Sequence, residues 1–155
     1  MSAVDAESFR LALFPLDDGG MARPRLERRQ IYRTDDIAVL YTGQRLDSSD
    51  LGVYLQLVQL ADRRPKQEET KVSTLQLLEM TGRRYAGQAE WLDDTINRLC
   101  GALMEIRDGE LRYSGVLLKG SFLDQKTGMY TVSVDIRLAI FVTTGLWLGA
   151  MRLPE

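Results

Sequence analysis

Apolar residues crowd one stretch of the chain so densely that almost no polar face is left. Leu51, Val53, Tyr54, Leu55, Leu57, Val58, Leu60 and Ala61 occupy nearly every side of a cylinder. This density predicts a helix wrapped by neighbours or sharing one face with a partner. Asp47-Ser-Ser-Asp50, just ahead of it, offers several N-caps. Further on, Leu92, Ile96, Leu99, Leu103 and Ile106 alternate steps of four and three. That spacing predicts one long helix over 88–106, covering most of 90–105, with a single apolar stripe and a stop at Asp108-Gly109. The period then changes to two. Leu111 and Tyr113 begin a strand, Gly115 marks a bulge before Leu117, and Tyr130, Val132, Val134 and Ile136 alternate. With Asp124-Gln-Lys-Thr-Gly128 as the loop, residues 111–123 and 129–136 are expected to form an antiparallel hairpin.

Residues 1–8 are polar and expected to be mobile. Phe9-Arg-Leu-Ala-Leu-Phe14 is a short helical block stopped by Pro15, and Asp17-Asp-Gly-Gly20 is a loop. Ile31 and Tyr32, then Ile37–Tyr41, flank the turn Thr34-Asp-Asp36 and predict a small hairpin. A charged loop over 63–70 leads to a short strand at Lys71–Ser73. Ser73 or Thr74 then caps a helix through Met80, with Gly82 at its C-terminal cap. Together the elements predict an α+β fold, a winged helix: a helix-turn-helix near 73–81 and 88–106, a C-terminal β-hairpin wing, and a small N-terminal hairpin. The turn between the two helices is longer than the three or four residues usual for the motif. The expected organisation is a mobile segment with a short helix over 1–25, the winged-helix domain over 26–145, and a tail over 146–155.

Composition narrows the chemistry. At 155 residues and 45% hydrophobic, the chain suits one domain with a real core. It has no His and a single Cys, Cys100. An internal disulfide is therefore impossible, a Cys/His zinc site cannot be assembled, and nucleophile systems that use His are removed. No Gly-rich phosphate loop with its Lys is present. The chain is expected to be no enzyme and to need no cofactor or metal. No early apolar run suits a signal peptide, and the apolar stretch 136–150 is broken by Arg137 and two Gly, so a cytoplasmic location is expected. Trp91, Trp147 and Cys100 read as packing residues.

The formal charge of -2 provides no global basic field. Charge is segregated, however. Between Met21 and Arg33 five Arg face one acid, Glu27, which makes +4 there and leaves about -6 elsewhere. That stretch is either a solvated connector or an arm that lies along phosphates. In a winged helix the second helix and the turn before it face a groove. Candidate DNA contacts are therefore Arg83, Arg84, Tyr85, Gln88, Asn97, Arg98 and the wing-tip Lys126, with Arg28 and Arg29 from the basic stretch. Against this stand Glu90, Asp93 and Asp94, which suit the helix dipole but repel phosphate.

The run Tyr41-Thr-Gly-Gln-Arg-Leu-Asp-Ser-Ser-Asp-Leu-Gly-Val-Tyr-Leu-Gln56 resembles the TrfA family of plasmid replication initiators. That family shows a Tyr-Thr-Gly, a Leu, an acidic pair, then an aromatic-Leu-Gln on the following helix. Weaker matches are Ala12-Leu-Phe14, Ile96-Asn-Arg-Leu99 and Val132–Phe141, so the likeness runs in order over about residues 10–145. It implies a protein that binds repeated sites in a plasmid origin and helps open the duplex. Implied partners are double-stranded origin DNA, a host initiator protein and the replicative helicase. The family carries two winged helices in tandem, with monomer and dimer forms. Here the second would begin where the chain ends, and residues 145–155 depart from the pattern.

Two functions remain open on this reading: a DNA-binding domain of a replication initiator, and a dimerisation or partner-binding module with little DNA contact. A winged-helix transcription regulator shares the physics of the first. The apolar surround of the helix at 51–61 predicts self-association at raised concentration, a homodimer that sedimentation would detect; a strict monomer would count against it.

Overall fold

The computed structural model describes residues 2–16, 23–63, 69–82 and 86–149. The loop at 17–20, most of the charged loop over 63–70, and the end of the tail lie outside them. Ser2–Ala3 (β1) and Ala6–Leu13 (α1) open the chain. Asp5 caps α1 by accepting from Ser8 N. Arg25–Arg33 (β2) and Ile37–Gln44 (β3) follow, then Ser48–Asp62 (α2), Thr70–Ser73 (β4) and Thr74–Met80 (α3). A 3-10 turn, Ala86–Gln88, leads into Ala89–Cys100 (α4). Leu103–Asp108 (β5), Leu111–Val116 (β6), Leu118–Asp124 (β7) and Met129–Val134 (β8) come next. Ile136–Thr144 (α5) and Leu146–Trp147 (β9) complete the described chain. Among the described residues this is a mixed fold of five α-helices and antiparallel sheets.

The sheets are ordered β2-β3-β5-β6, β4-β8-β7 and β1-β9. The inward residues of the first are Ile37, Val39 and Tyr41 with Met104 and Ile106; those of the second are Val72, Tyr130 and Val132. Both inner faces join one buried cluster with Phe9, Val53, Leu57, Leu92, Ile96, Leu99 and Phe141. Within it α4 packs on β7, α2 on β8 and β4, and α1 on β2 and α5.

Several expectations are corrected. The helix foreseen to 106 ends at Cys100, and 103–108 is a strand. Leu103 and Ile106 continue the helical spacing, yet Ala102, Met104 and Ile106 also alternate, and those three are buried while Leu103 is 39% exposed. Six cross-strand pairs with β3, from Ile37 with Asp108 to Thr42 with Leu103, decide for the strand.

The expected hairpin is correspondingly shorter. β7 pairs with β8, whereas β6 pairs with β5 in the other sheet. Gly115 is no bulge; it sits in regular register opposite Met104, and the irregularity falls between Leu118 and Gly120. A Cβ at Gly115 would lie 2.6 Å from an Asp135 carboxylate oxygen, so close approach is what requires Gly there. Ile136 starts a helix rather than ending a strand, because Asp135 caps it through Leu138 N at 3.1 Å.

The first residues also belong to the fold. β1 pairs with β9, and Val4 N donates to Gly145 O at 2.8 Å. Gly145 takes the left-handed conformation, φ 79°, that closes α5. Trp147, 2% exposed, packs against Phe141 and Tyr113, in keeping with a packing role.

The phase of α4 gives a direct check. Ile96→Ala is expected to cost about 2–5 kcal/mol by opening a cavity in the core, whereas Asn97→Ala, one residue on and exposed, stays within about 0.5 kcal/mol. Urea unfolding of both variants measures the difference; equal losses would contradict the packing.

Candidate nucleic-acid interface

The segment that the sequence marks for a groove is built as a unit. β4 runs into α3 through Ser73, whose hydroxyl accepts from Gln76 N at 3.0 Å. The β7–β8 loop is tied to the same junction. Gly128, at φ 72°, offers its carbonyl to both Thr74 N at 2.7 Å and Thr74 Oγ1 at 2.8 Å. This presents Lys126, exposed at the tip, with its own N–H donated to Asp124 Oδ1 at 3.0 Å.

Gln88 precedes α4, partly exposed, and Asn97 is exposed on its solvent side. Arg83, Arg84 and Tyr85 lie outside the described residues. The rest of the exposed side of α4 is acidic: Glu90 and Asp94 face solvent, and Asp93 accepts from Tyr130 Oη at 2.9 Å.

Arg98 turns inward. Its guanidinium donates to Asp50 Oδ1 from Nη2 at 3.0 Å and from Nε at 3.3 Å, and to Thr95 Oγ1 at 3.0 Å. Asp50 is fully buried and Arg98 is 13% exposed at the side chain. The other Asp50 oxygen accepts from Arg23 Nη1 at 2.5 Å and from Asp47 N at 2.9 Å. Asp47 accepts from Arg23 Nη2 at 2.7 Å and completes a capping box at the start of α2.

Burial alone would raise the Asp47 pKa. Hydrogen bonds from Ser49 and the Arg23 charge outweigh it and hold the carboxyl below its ordinary 3.8. Much of the Tyr41–Gln56 motif is thereby accounted for. Tyr41 and Leu46 are core, and Asp47 and Asp50 build the ion cluster. A Cβ at Gly43 would stand 2.7 Å from Gly101 O, so the chain needs Gly where β3 crosses the end of α4.

Within the basic stretch, 25–33 is the edge strand β2 rather than a solvated connector, and Arg23 belongs to the ion cluster. Arg29 is exposed beside the end of α1. Arg28 sits at a register break with φ 43°, its N–H donated to Thr42 Oγ1 at 3.0 Å. From there it reaches across the outer face of the sheet to Glu105, at 3.2 Å.

Two arginines not singled out in the sequence meet it. Arg107 Nε donates to Glu105 at 2.8 Å, and Arg112 Nη1 lies 3.9 Å away. Glu105 is 14% exposed at the side chain. Burial there acts to raise its pKa, but the hydrogen bonds from Arg28 and Arg107 prevail and lower it from 4.5. The signal available in sequence was the alternation Leu103, Glu105, Arg107, hidden by the helical spacing of its neighbours.

Between α2 and α5 lies an open groove of about 820 Å³, lined by Leu55, Val58, Ile136, Ala139 and Ile140 among others. Cys100 is half-buried, and burial raises its thiol pKa against the opposing hydrogen bond with Ser121, the direction of a poor nucleophile. Among the described residues no cluster of His, Cys, Asp or Glu is arranged to hold a metal, and no helix is long and apolar enough to cross a membrane.

No family model and no curated protein matches the chain. Solved structures do. A crystal structure of domains 2 and 3 of RctB aligns with a TM-score of 0.63 at 10% identity, covering 90% of this chain and 60% of that one. A second, of RctB residues 155–483, gives 0.64 at 12% identity, covering 87% and 58%. The chain thus shares its fold with those domains and spans under two thirds of their length.

Removing the Asp50 carboxylate strands two guanidinium groups. Asp50→Ala is expected to destabilise the fold by about 3–5 kcal/mol, and the joint change Asp50→Leu/Arg98→Met by clearly less. Thermal or urea unfolding checks the order; a milder single variant would contradict the cluster's role.

Asp47 and Glu105 both have depressed folded-state pKa values, so their stabilisation is full above their unfolded values and is lost on acidification. The unfolding midpoint should fall as pH drops below 4.5 and continue through 3.8. A midpoint that holds or rises across that range would contradict it.

Proposed function

We propose that the chain is a winged-helix DNA-binding module of a replication initiator, recognising repeated sites in a plasmid origin. The observation that carries this is connectivity. In chain order β4, α3, a 3-10 turn and α4 are followed, after the inserted strands β5 and β6, by the β7–β8 hairpin, and β4, β8 and β7 form a three-stranded sheet on which α2 and α4 pack. In this reading α3 and α4 form the helix-turn-helix and β7–β8 the wing, with Lys126 at its tip.

The resemblance of Tyr41–Gln56 to the TrfA initiators supports the choice of function, and so does the fold shared with domains 2 and 3 of RctB. The module acts by binding and not by chemistry, without cofactor, and serves in the cytoplasm. Host initiator protein and replicative helicase are the partners of the whole initiator.

A second reading, a dimerisation or partner-binding module, is favoured by the acidic exposed side of α4 and by the apolar groove between α2 and α5. A transcription regulator would use the same DNA-facing parts on other sites.

Fluorescence anisotropy with origin-repeat duplex against random duplex, over a salt series, separates these. Affinity should fall steeply with salt, and this single domain should bind in the roughly micromolar range or weaker. Lys126→Ala should weaken both duplexes alike and reduce the salt slope by about one. The double change Arg83→Ala/Arg84→Ala should erode preference for the repeat. Equal affinity for repeat and random duplex at every salt concentration would refute repeat recognition.

A further inference from the structure

The outer face of the β2-β3-β5-β6 sheet carries charge that the ion pairs do not balance. Arg28 on β2, Arg107 on β5 and Arg112 on β6 converge on one carboxylate, Glu105. All three arginines are substantially exposed, at 59%, 44% and 61% of the side chain. Each guanidinium has five N–H donors; Glu105 accepts from Arg28 and Arg107 and lies 3.9 Å from Arg112, which leaves most of these donors for another anion.

Arg33 lies in the same cross-strand row as Arg107 and Arg112, joined through Ala38. With strands about 4.8 Å apart, that row spans roughly 14 Å, comparable to the width of a DNA groove. Arg25 and Glu27 at the far end pair with each other. Asp35, Asp36 and Glu110 sit in the turns at the near end and bound the basic area there.

We infer that this arginine face, and not the exposed side of α4, binds the phosphate backbone of double-stranded DNA. The inference rests on the DNA-binding reading above and adds where the phosphates lie. Charge decides it. The face carries Arg28, Arg33, Arg107 and Arg112 against Glu105 alone, whereas the exposed side of α4 presents Glu90 and Asp94 with no exposed cation, since Arg98 is held by Asp50. A polyanion is drawn to the former and repelled by the latter. Glu105 acts as the internal counter-ion that holds the guanidinium groups in place. It also competes with phosphate for them.

Two variants of opposite sign test this against a random-sequence duplex over 50–200 mM salt. Arg107→Gln/Arg112→Gln removes two phosphate contacts, so the salt slope should shrink by about two, and the loss of affinity across that range should be about tenfold smaller than in the parent. Glu105→Gln keeps the arginines and removes their competitor, so it should bind the same duplex more tightly. A purely structural ion cluster predicts no gain from that change.

If the parent binds DNA with a steep salt slope and neither variant alters it, the face is not the phosphate site, while the DNA-binding reading survives. If the parent binds no duplex even at 50 mM salt, that reading fails and takes this inference with it. Binding of an acidic protein partner at this face, with no duplex bound, would be the same refutation.

Discussion

A carboxylate with no solvent exposure, Asp50, stands where three segments meet, and its needs dictate how they meet. An unpaired buried charge costs several kcal/mol, so every lone pair must find a donor. Arg23 supplies one from the chain leading into β2, Arg98 supplies two from the end of α4, and the Asp47 N–H supplies another at the start of α2. Satisfying Asp50 therefore fixes the N-terminal hairpin, α2 and α4 relative to one another. With these fixed, β3 crosses α4 so closely that only Gly43 fits, and β5, leaving α4 through Gly101, falls into register on β3.

The same arrangement settles where charge is displayed. Arg98 sits on the helix that a winged helix would lay in a groove, yet its charge is spent inside on Asp50. The exposed side of α4 is left with Glu90 and Asp94. Meanwhile the strand inserted after α4 adds Arg107, and its partner β6 adds Arg112, to a sheet face that already bears Arg28 and Arg33. A chain with a formal charge of -2 thus keeps a locally basic surface, carried by sheet rather than helix. The proposed winged-helix reading and this charge pattern are compatible: in it the helix-turn-helix would provide a scaffold, and phosphate attraction would come from the sheet beside it.

What could be read in the sequence was local. The caps at Asp47–Asp50 and Ser73, the turn at Thr34–Asp36 and the loop ending at Gly128 all announce themselves within a few residues, and each stands in the structure. What could not be read was decided at a distance. Leu103 and Ile106 fit a helical stripe as well as a strand, and pairing with β3, more than sixty residues earlier, chose the strand. Asp135 fell on the polar side of the strand expected over 129–136 but caps α5. The ion pair that turns Arg98 inward joins residues 48 apart, and no spacing rule exposes such a partner.

The central claim, that this fold binds DNA, is tested most directly by mapping the contact on the folded protein. Backbone amide shifts of isotope-labelled protein, followed as origin-repeat duplex is added at low salt, report every residue at once. The account predicts perturbation of Arg28, Arg107 and Arg112 on the four-stranded sheet and of Lys126 at the β7–β8 loop, with the groove between α2 and α5 unchanged. Perturbation confined to that groove, or none at saturating duplex, would contradict it.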